Sequence, residues 1–131
     1  MPRRVLIVDD ESDLREVMDY NLRHAGYDVG HADSGNTALA SAQRWLPDAI
    51  VLDINLPGLD GLAVCEMPRL LPSTREIPIL LLTALTSEQT RKLGLELGAN
   101  DYMTKPFSPR DLVARVGKMV EEAREPRAEG S

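Results

Sequence analysis

The run Val5–Val8 is wholly apolar and ends on Asp9-Asp10. The same figure recurs at "AIVL" (49–52), which ends on Asp53, and at "IPILLL" (77–82), which ends on Thr83. Unbroken rather than alternating apolar runs suit strands covered on both faces, as in a parallel sheet. "YDVGHA" (27–32) alternates weakly and predicts an edge strand, and "DYMTK" (101–105) predicts a shorter strand ending on Lys105. Between these runs the apolar spacing becomes helical. Leu14, Val17, Met18 and Leu22 predict a helix over 12–24, stopped by Gly26. Ala38, Leu39, Ala42 and Leu46 predict a second over 35–46, closed by Pro47. A third begins near Leu59–Gly61 and runs to about Leu70. Pro68 obstructs it, because proline removes a backbone donor and crowds the preceding turn, so a kink or stop is expected near Met67. Thr86 and Gln89 cap a fourth helix over 87–97, ended by Gly98. Ser108, Pro109 and Asp111 open a fifth, with Leu112, Val113, Val116, Met119 and Val120 as its buried stripe. Five such strand–helix units predict an α/β fold, a parallel sheet wrapped by helices on both sides.

The polar residues that end the strands matter more than their number. In a parallel α/β sheet the carboxyl ends of the strands share one edge, and ligands bind there. Asp9, Asp10, Asp53, Thr83 and Lys105 therefore converge on one pocket. Three carboxylates in one pocket repel one another unless a cation or proton compensates. A hard divalent cation with oxygen ligands answers that need, and Mg2+ takes few protein oxygens, keeps waters and binds phosphate. A carboxylate is also a nucleophile toward phosphoryl groups. Such an attack needs charge neutralised on the transferring oxygens, which Mg2+ and the Lys105 ammonium can do while the Thr83 hydroxyl donates to one oxygen.

Composition narrows the choice of partner. The 131 residues carry a formal net charge of -6, against direct nucleic-acid binding by this chain. The single cysteine, Cys65, cannot form an internal disulfide. The two arginines and four apolar residues that open the chain are too short for a signal peptide or membrane span, so a cytoplasmic protein without membrane contact is expected. The polar stretch 125–131 reads as a tail or linker start, with no repeats and no second domain before it.

The motifs "VLIVDDE" (5–11), "IVLDINLPGLDG" (50–61), "IPILLLTA" (77–84) and "GANDYMTKPF" (98–107) resemble those of two-component response regulator receiver domains. The likeness covers about residues 3–124 and places the receiver at 1–124. It implies a flavodoxin-like doubly wound (βα)5 fold with strand order 2-1-3-4-5. It also implies that Asp53 accepts a phosphoryl group from a sensor histidine kinase or histidine phosphotransfer protein. Mg2+, for which Mn2+ can substitute, would be held by Asp9, Asp10, Asp53 and the backbone carbonyl of Asn55. Thr83 would contact a phosphoryl oxygen, Lys105 would pair with the phosphate, and Lys105–Pro106 would be a cis peptide. Pro57 and Gly58 would shape the loop after the acceptor. As the switch, Thr83 would move toward the phosphate and Tyr102 would turn inward.

"DLVARV" (111–116) is most similar to receivers that precede winged-helix DNA-binding domains. That subfamily dimerises through the fourth helix, fifth strand and fifth helix, with crossed salt bridges at positions matching Arg91, Asp101, Asp111 and Arg115. Asn100 departs from its usual acid, and Gly117 and "EEARE" (121–125) from its basic helix end. A rival class is the haloacid-dehalogenase-like Mg2+-dependent phosphatase, which needs a titrating Asp two residues after the nucleophile. Asn55 stands at that position, and the acidic pair precedes Asp53. A flavodoxin-like cofactor binder would wrap a phosphate in its first loop, and "DDESD" (9–13) would repel one without a metal. His24, His31 and Trp45 read as structural, and Asp13 as solvent-facing.

Overall fold

The computed structural model describes residues 2–53, 67–83, 92, 94–96 and 98–124. Each apolar run becomes a strand: β1 (Arg4–Val8), β2 (Asp28–Ala32), β3 (Ala49–Asp53), β4 (Ile79–Thr83) and β5 (Asp101–Thr104). All pair in parallel in the order β2-β1-β3-β4-β5. This is the expected doubly wound, flavodoxin-like order, and it reverses direction beside β1 and β3. β4 starts at Ile79, two residues later than its apolar run, because Pro78 has no amide hydrogen for the ladder. The Pro78 carbonyl instead accepts from the Ile50 amide at 2.9 Å.

The strand pleat divides the apolar residues into two cores. Val5, Ile7, Val51, Leu80, Leu82 and Met103 pack on one face with Met18, Leu22, Leu112 and Val116. The last four belong to α1 (Ser12–His24) and to the C-terminal helix (Pro109–Arg124). On the opposite face Leu6, Val8, Ile50, Leu52, Ile79 and Leu81 pack with Ala38 and Ala42 of α2 (Gly35–Trp45). β1, β3 and β4 read as unbroken apolar runs because both sets of alternate positions are covered.

Helix ends follow the local chemistry. Gly26 (φ 103) and Gly98 (φ 126) both lie in the left-handed region. Each closes a helix end with two crossing backbone bonds: Gly26 N to Arg23 O with Tyr27 N to Leu22 O, and Gly98 N to Leu95 O with Ala99 N to Gly94 O. At the C-terminal helix the Ser108 hydroxyl accepts from the Asp111 amide at 3.4 Å. Two expected stripe residues differ. Val17 is 44% exposed on α1. Leu46 falls outside α2 as a left-handed C-cap (φ 52) and is 49% exposed, since the residue before Pro47 is barred from continuing the helix. Trp45 packs against the α2-side core, its ring over Gly30 and the Arg4 guanidinium.

Most of the expected third and fourth helices lie outside the described residues, as do Cys65, Thr86, Gln89, Leu97 and the tail 125–131. Residues 92 and 94–96 are helical, and Met67–Leu70 is a 3-10 turn with Pro68 buried. The turn is held by side chains. Thr74, fully buried, donates its hydroxyl to the Pro68 carbonyl at 2.8 Å. Arg69 donates to the carbonyls of Gly98, Arg75 and Ile77 and to Asn100 Oδ1. Asn100 Oδ1 also accepts from the Ile79 amide at 2.9 Å, which gives this departure from the family pattern a task at the start of β4. Arg69→Ala is expected to lower unfolding stability by about 2 kcal/mol in urea titration, with Arg69→Lys recovering less than half, because one ammonium cannot reach four acceptors.

Candidate functional site

The register of the sheet builds the site. Val8 pairs with Leu52, so Asp9 and Asp53 come next on adjacent strands at the carboxyl edge. Asp53 pairs with Leu82, and Thr83 with Thr104, so Thr83 and Lys105 continue the same edge. Asp9 and Thr83 are completely buried and Asp53 is 1% exposed, while Asp10 faces solvent. Carboxylate oxygens of Asp9, Asp10 and Asp53 all lie within 4.8 Å of one another. The Lys105 ammonium sits 3.0 Å from Asp53 Oδ2 and 3.2 Å from Glu11 Oε1. Its backbone amide is anchored to the Thr83 carbonyl at 2.7 Å.

The charges in this pocket are incompletely matched. Asp9 Oδ1 accepts from the Glu11 amide at 2.8 Å, but Oδ2 is buried with no hydrogen-bond partner among the described residues. Burial is the main reason that the Asp9 carboxyl is pushed up from 3.8 to about 6. The Glu11 amide and the Lys105 ammonium pull it down, and the charges of Asp53 and Glu11 add to the rise. For Lys105, burial pushes the pKa down, but the bond to Asp53, the Asp53 charge and the bond to Glu11 outweigh it, and the net shift is upward. A buried carboxylate oxygen that lacks a donor, beside two more carboxylates, is chemically suited to a hard cation.

The response regulator receiver domain model matches residues 5–117. This chain belongs to that family. It is 51% identical over 116 residues to the alkaline phosphatase synthesis transcriptional regulatory protein PhoP of Bacillus subtilis, a match that takes in 88% of this chain and 48% of the relative. The chain thus spans about half the length of that curated relative. Among solved structures it resembles the chemotaxis response regulator CheY4 of Vibrio cholerae, with TM-score 0.86 and 34% identity over 91% of this chain and 99% of that one. It also resembles the receiver domain of a sensor histidine kinase from Pseudomonas aeruginosa, with TM-score 0.84 and 33% identity over 92% and 99%. That receiver is described with a magnesium ion coordinated in its active-site cleft. Receiver domains bind Mg2+ at an acidic pocket, and the Asp9, Asp10 and Asp53 cluster of this receiver has the donors for one.

The other predicted residues are placed as follows. Lys105–Pro106 is a cis peptide. Tyr102 is half-buried on the α2 side of the sheet. Arg115 bonds Asp101 Oδ1 at 3.0 Å, Asp111 Oδ2 at 3.2 Å and the Tyr102 carbonyl at 3.1 Å, so three of the four expected dimer-face charges form one cluster within the chain. Arg91, Asn55, Pro57 and Gly58 lie outside the described residues. Asp13 faces solvent on α1. His24 stacks on Tyr20 with ring centroids 6.0 Å apart, and His31 lies 3.6 Å from Asp19. Among the described residues no helix is long and apolar enough to cross a membrane. Sequence reasoning passed over Glu11. Its place after the acidic pair was visible, but its reach to Lys105, 94 positions away, needed the fold.

The raised Asp9 carboxyl fixes a sign. The folded receiver holds that proton more tightly than the unfolded chain, so this group's contribution to stability falls as pH rises from 3.8 to about 6 and stays low above. In chelator at pH 7, Asp9→Asn should therefore raise unfolding stability by on the order of 2 kcal/mol, and the gain should vanish below the unfolded-state pKa. Urea titrations of both proteins across that pH range check it.

Proposed function

We propose that Asp53 of this receiver accepts a phosphoryl group from a sensor histidine kinase or histidine phosphotransfer protein, with Mg2+ held by Asp9, Asp10, Asp53 and the Asn55 backbone carbonyl. Bound there, the cation neutralises charge on the transferring oxygens. The observation that carries the reading is the buried carboxylate of Asp53 with the Lys105 ammonium at 3.0 Å, beside an Asp9 oxygen that lacks a donor. An Asp53 oxygen attacks phosphorus and forms the O–P bond. The donor's bond to phosphorus breaks, and its electron pair leaves with the donor. Lys105 then pairs with the phosphoryl oxygens, and the Thr83 hydroxyl donates to one of them.

The output follows from the added charge. Thr83 is drawn toward the phosphate, and Tyr102 turns into the space released. Tyr102 already shares an anchor with the charged face, since its carbonyl accepts from Arg115. In the phosphorylated state Arg115, Asp101 and Asp111 exchange partners with a second copy, together with Arg91, giving a homodimer. Ion pairs of this exposure set register more than affinity. The receiver occupies 1–124, with the C-terminal helix running to Arg124, and residues 125–131 are a polar tail or the start of a linker. The protein works in the cytoplasm as a signalling switch that controls a partner or effector domain, without direct nucleic-acid or membrane binding by this domain. Its own chemistry is limited to slow self-phosphorylation and autodephosphorylation.

Intact-mass spectrometry after incubation with Mg2+ and acetyl phosphate tests the acceptor. One phosphoryl adduct is expected on the wild type and none on Asp53→Asn or in chelator. No adduct on protein that binds Mg2+ would refute acceptance from a small donor, and continuous release of free phosphate would favour the phosphatase class. On the same samples, size-exclusion chromatography should show a dimer only with the adduct, and Arg115→Ala should weaken the dimer several-fold while keeping the adduct.

A further inference from the structure

We propose that Glu11 is a resting-state counter-ion that competes with the incoming phosphoryl group for Lys105, a brake on phosphorylation built into the first turn of α1. The inference rests on the reading of Asp53 as acceptor. Glu11 occupies the N-cap position of α1, where a short polar side chain ordinarily folds back onto a first-turn amide. It makes no such bond. Its carboxylate reaches instead to Lys105 at 3.2 Å, while its own amide holds Asp9 Oδ1. Glu11 is thus fixed to the acidic pocket by its backbone and to the ammonium by its side chain.

Exposure decides what such a contact can do. The Glu11 side chain is 63% exposed and that of Lys105 16%, so the pair closes the mouth of the pocket rather than filling its floor. An ion pair this open adds little to stability. Asp53 alone, buried and 3.0 Å away, suffices to hold the ammonium in the resting protein. The effect of Glu11 falls on the chemistry instead. Phosphorylation raises the charge that Lys105 must answer at Asp53 from one to nearly two and adds acceptor oxygens. Two of the three ammonium donors are engaged, by Asp53 and Glu11, so drawing the ammonium toward those oxygens weakens its bond to Glu11. In the reaction with acetyl phosphate, an Asp53 oxygen forms the O–P bond as the P–O bond to acetate breaks, and the bonding pair leaves with acetate. Release of Lys105 from Glu11 accompanies that step and slows it.

The test follows adduct formation by intact mass with acetyl phosphate at saturating Mg2+, so that altered metal affinity does not enter the rate. Glu11→Gln should react about three to five times faster than wild type, the range of an exposed ion pair. Glu11→Asp keeps the charge but is one methylene too short to reach the ammonium, and it should also be faster. A second readout needs no phosphorylation: in metal-free protein the 15Nζ resonance of Lys105, assigned through Lys105→Arg, should move in both Glu11 variants. Unchanged rates with a normal wild-type adduct, or an unmoved resonance, would overturn the competition and leave Asp53 as the acceptor. Acceleration in Glu11→Gln with none in Glu11→Asp would overturn it in favour of simple repulsion of the anionic donor. Absence of any adduct on the wild type would refute acceptance from a small donor, and this inference with it.

Discussion

The repulsion between Asp9 and Asp53 at the carboxyl edge of the sheet is the constraint on which the rest of the structure turns. Two carboxylates taken out of water beside each other are unfavourable, and a domain selected only for stability would replace one of them. The fold restrains the cost without removing it. Lys105 compensates Asp53 directly at 3.0 Å, and the Glu11 amide compensates one oxygen of Asp9. The second oxygen of Asp9 is left, and burial drives that carboxyl up to about 6. At neutral pH the metal-free site therefore holds an uncompensated charge. That deficit is what a divalent cation or a change of covalent state at Asp53 can act upon.

The sheet makes such a deficit tolerable. Its two cores fix β1 and β3 side by side, so the carboxylates cannot move apart without slipping a strand pair buried on both faces. A one-residue slip would send every core side chain to the wrong face. Rigidity thus comes from apolar packing, and the polar residues at the edge inherit it. On the proposed switch, the binding energy of a cation or phosphoryl group would go into the less constrained parts, among them half-buried Tyr102, whose carbonyl accepts from Arg115.

How far this was legible in the sequence depends on the range of the physics involved. Continuous apolar runs identified β1, β3 and β4, weak alternation identified β2, and a short run ending at Lys105 identified β5. The stops at Gly26 and Gly98 were legible because one left-handed glycine closes a helix through local bonds. Asp9, Asp10, Asp53, Thr83 and Lys105 could be gathered from topology alone, since strand ends in a parallel sheet share an edge. Non-local contacts were not legible. Val17 lies at helical spacing yet is largely exposed, and no local signal marks that side of α1 as uncovered. Nothing around Arg69 signals that it reaches carbonyls at 75, 77 and 98, and nothing around Asn100 signals that it completes the start of β4.

Glu11 shows the same division in one residue. Its backbone role at the head of α1 is local and follows from the position after the acidic pair. Its side-chain role depends on where β5 delivers Lys105. The competition for that ammonium has a thermodynamic consequence beyond rate. Any ligand that takes Lys105 from Glu11 frees an exposed carboxylate at the mouth of the pocket, on the first turn of α1. On the proposed reading, phosphorylation would add charge at Asp53 and leave the Glu11 carboxylate uncompensated at the surface above it. The freed carboxylate would then mark the phosphorylated state on the first turn of α1, where the Glu11 side chain is exposed.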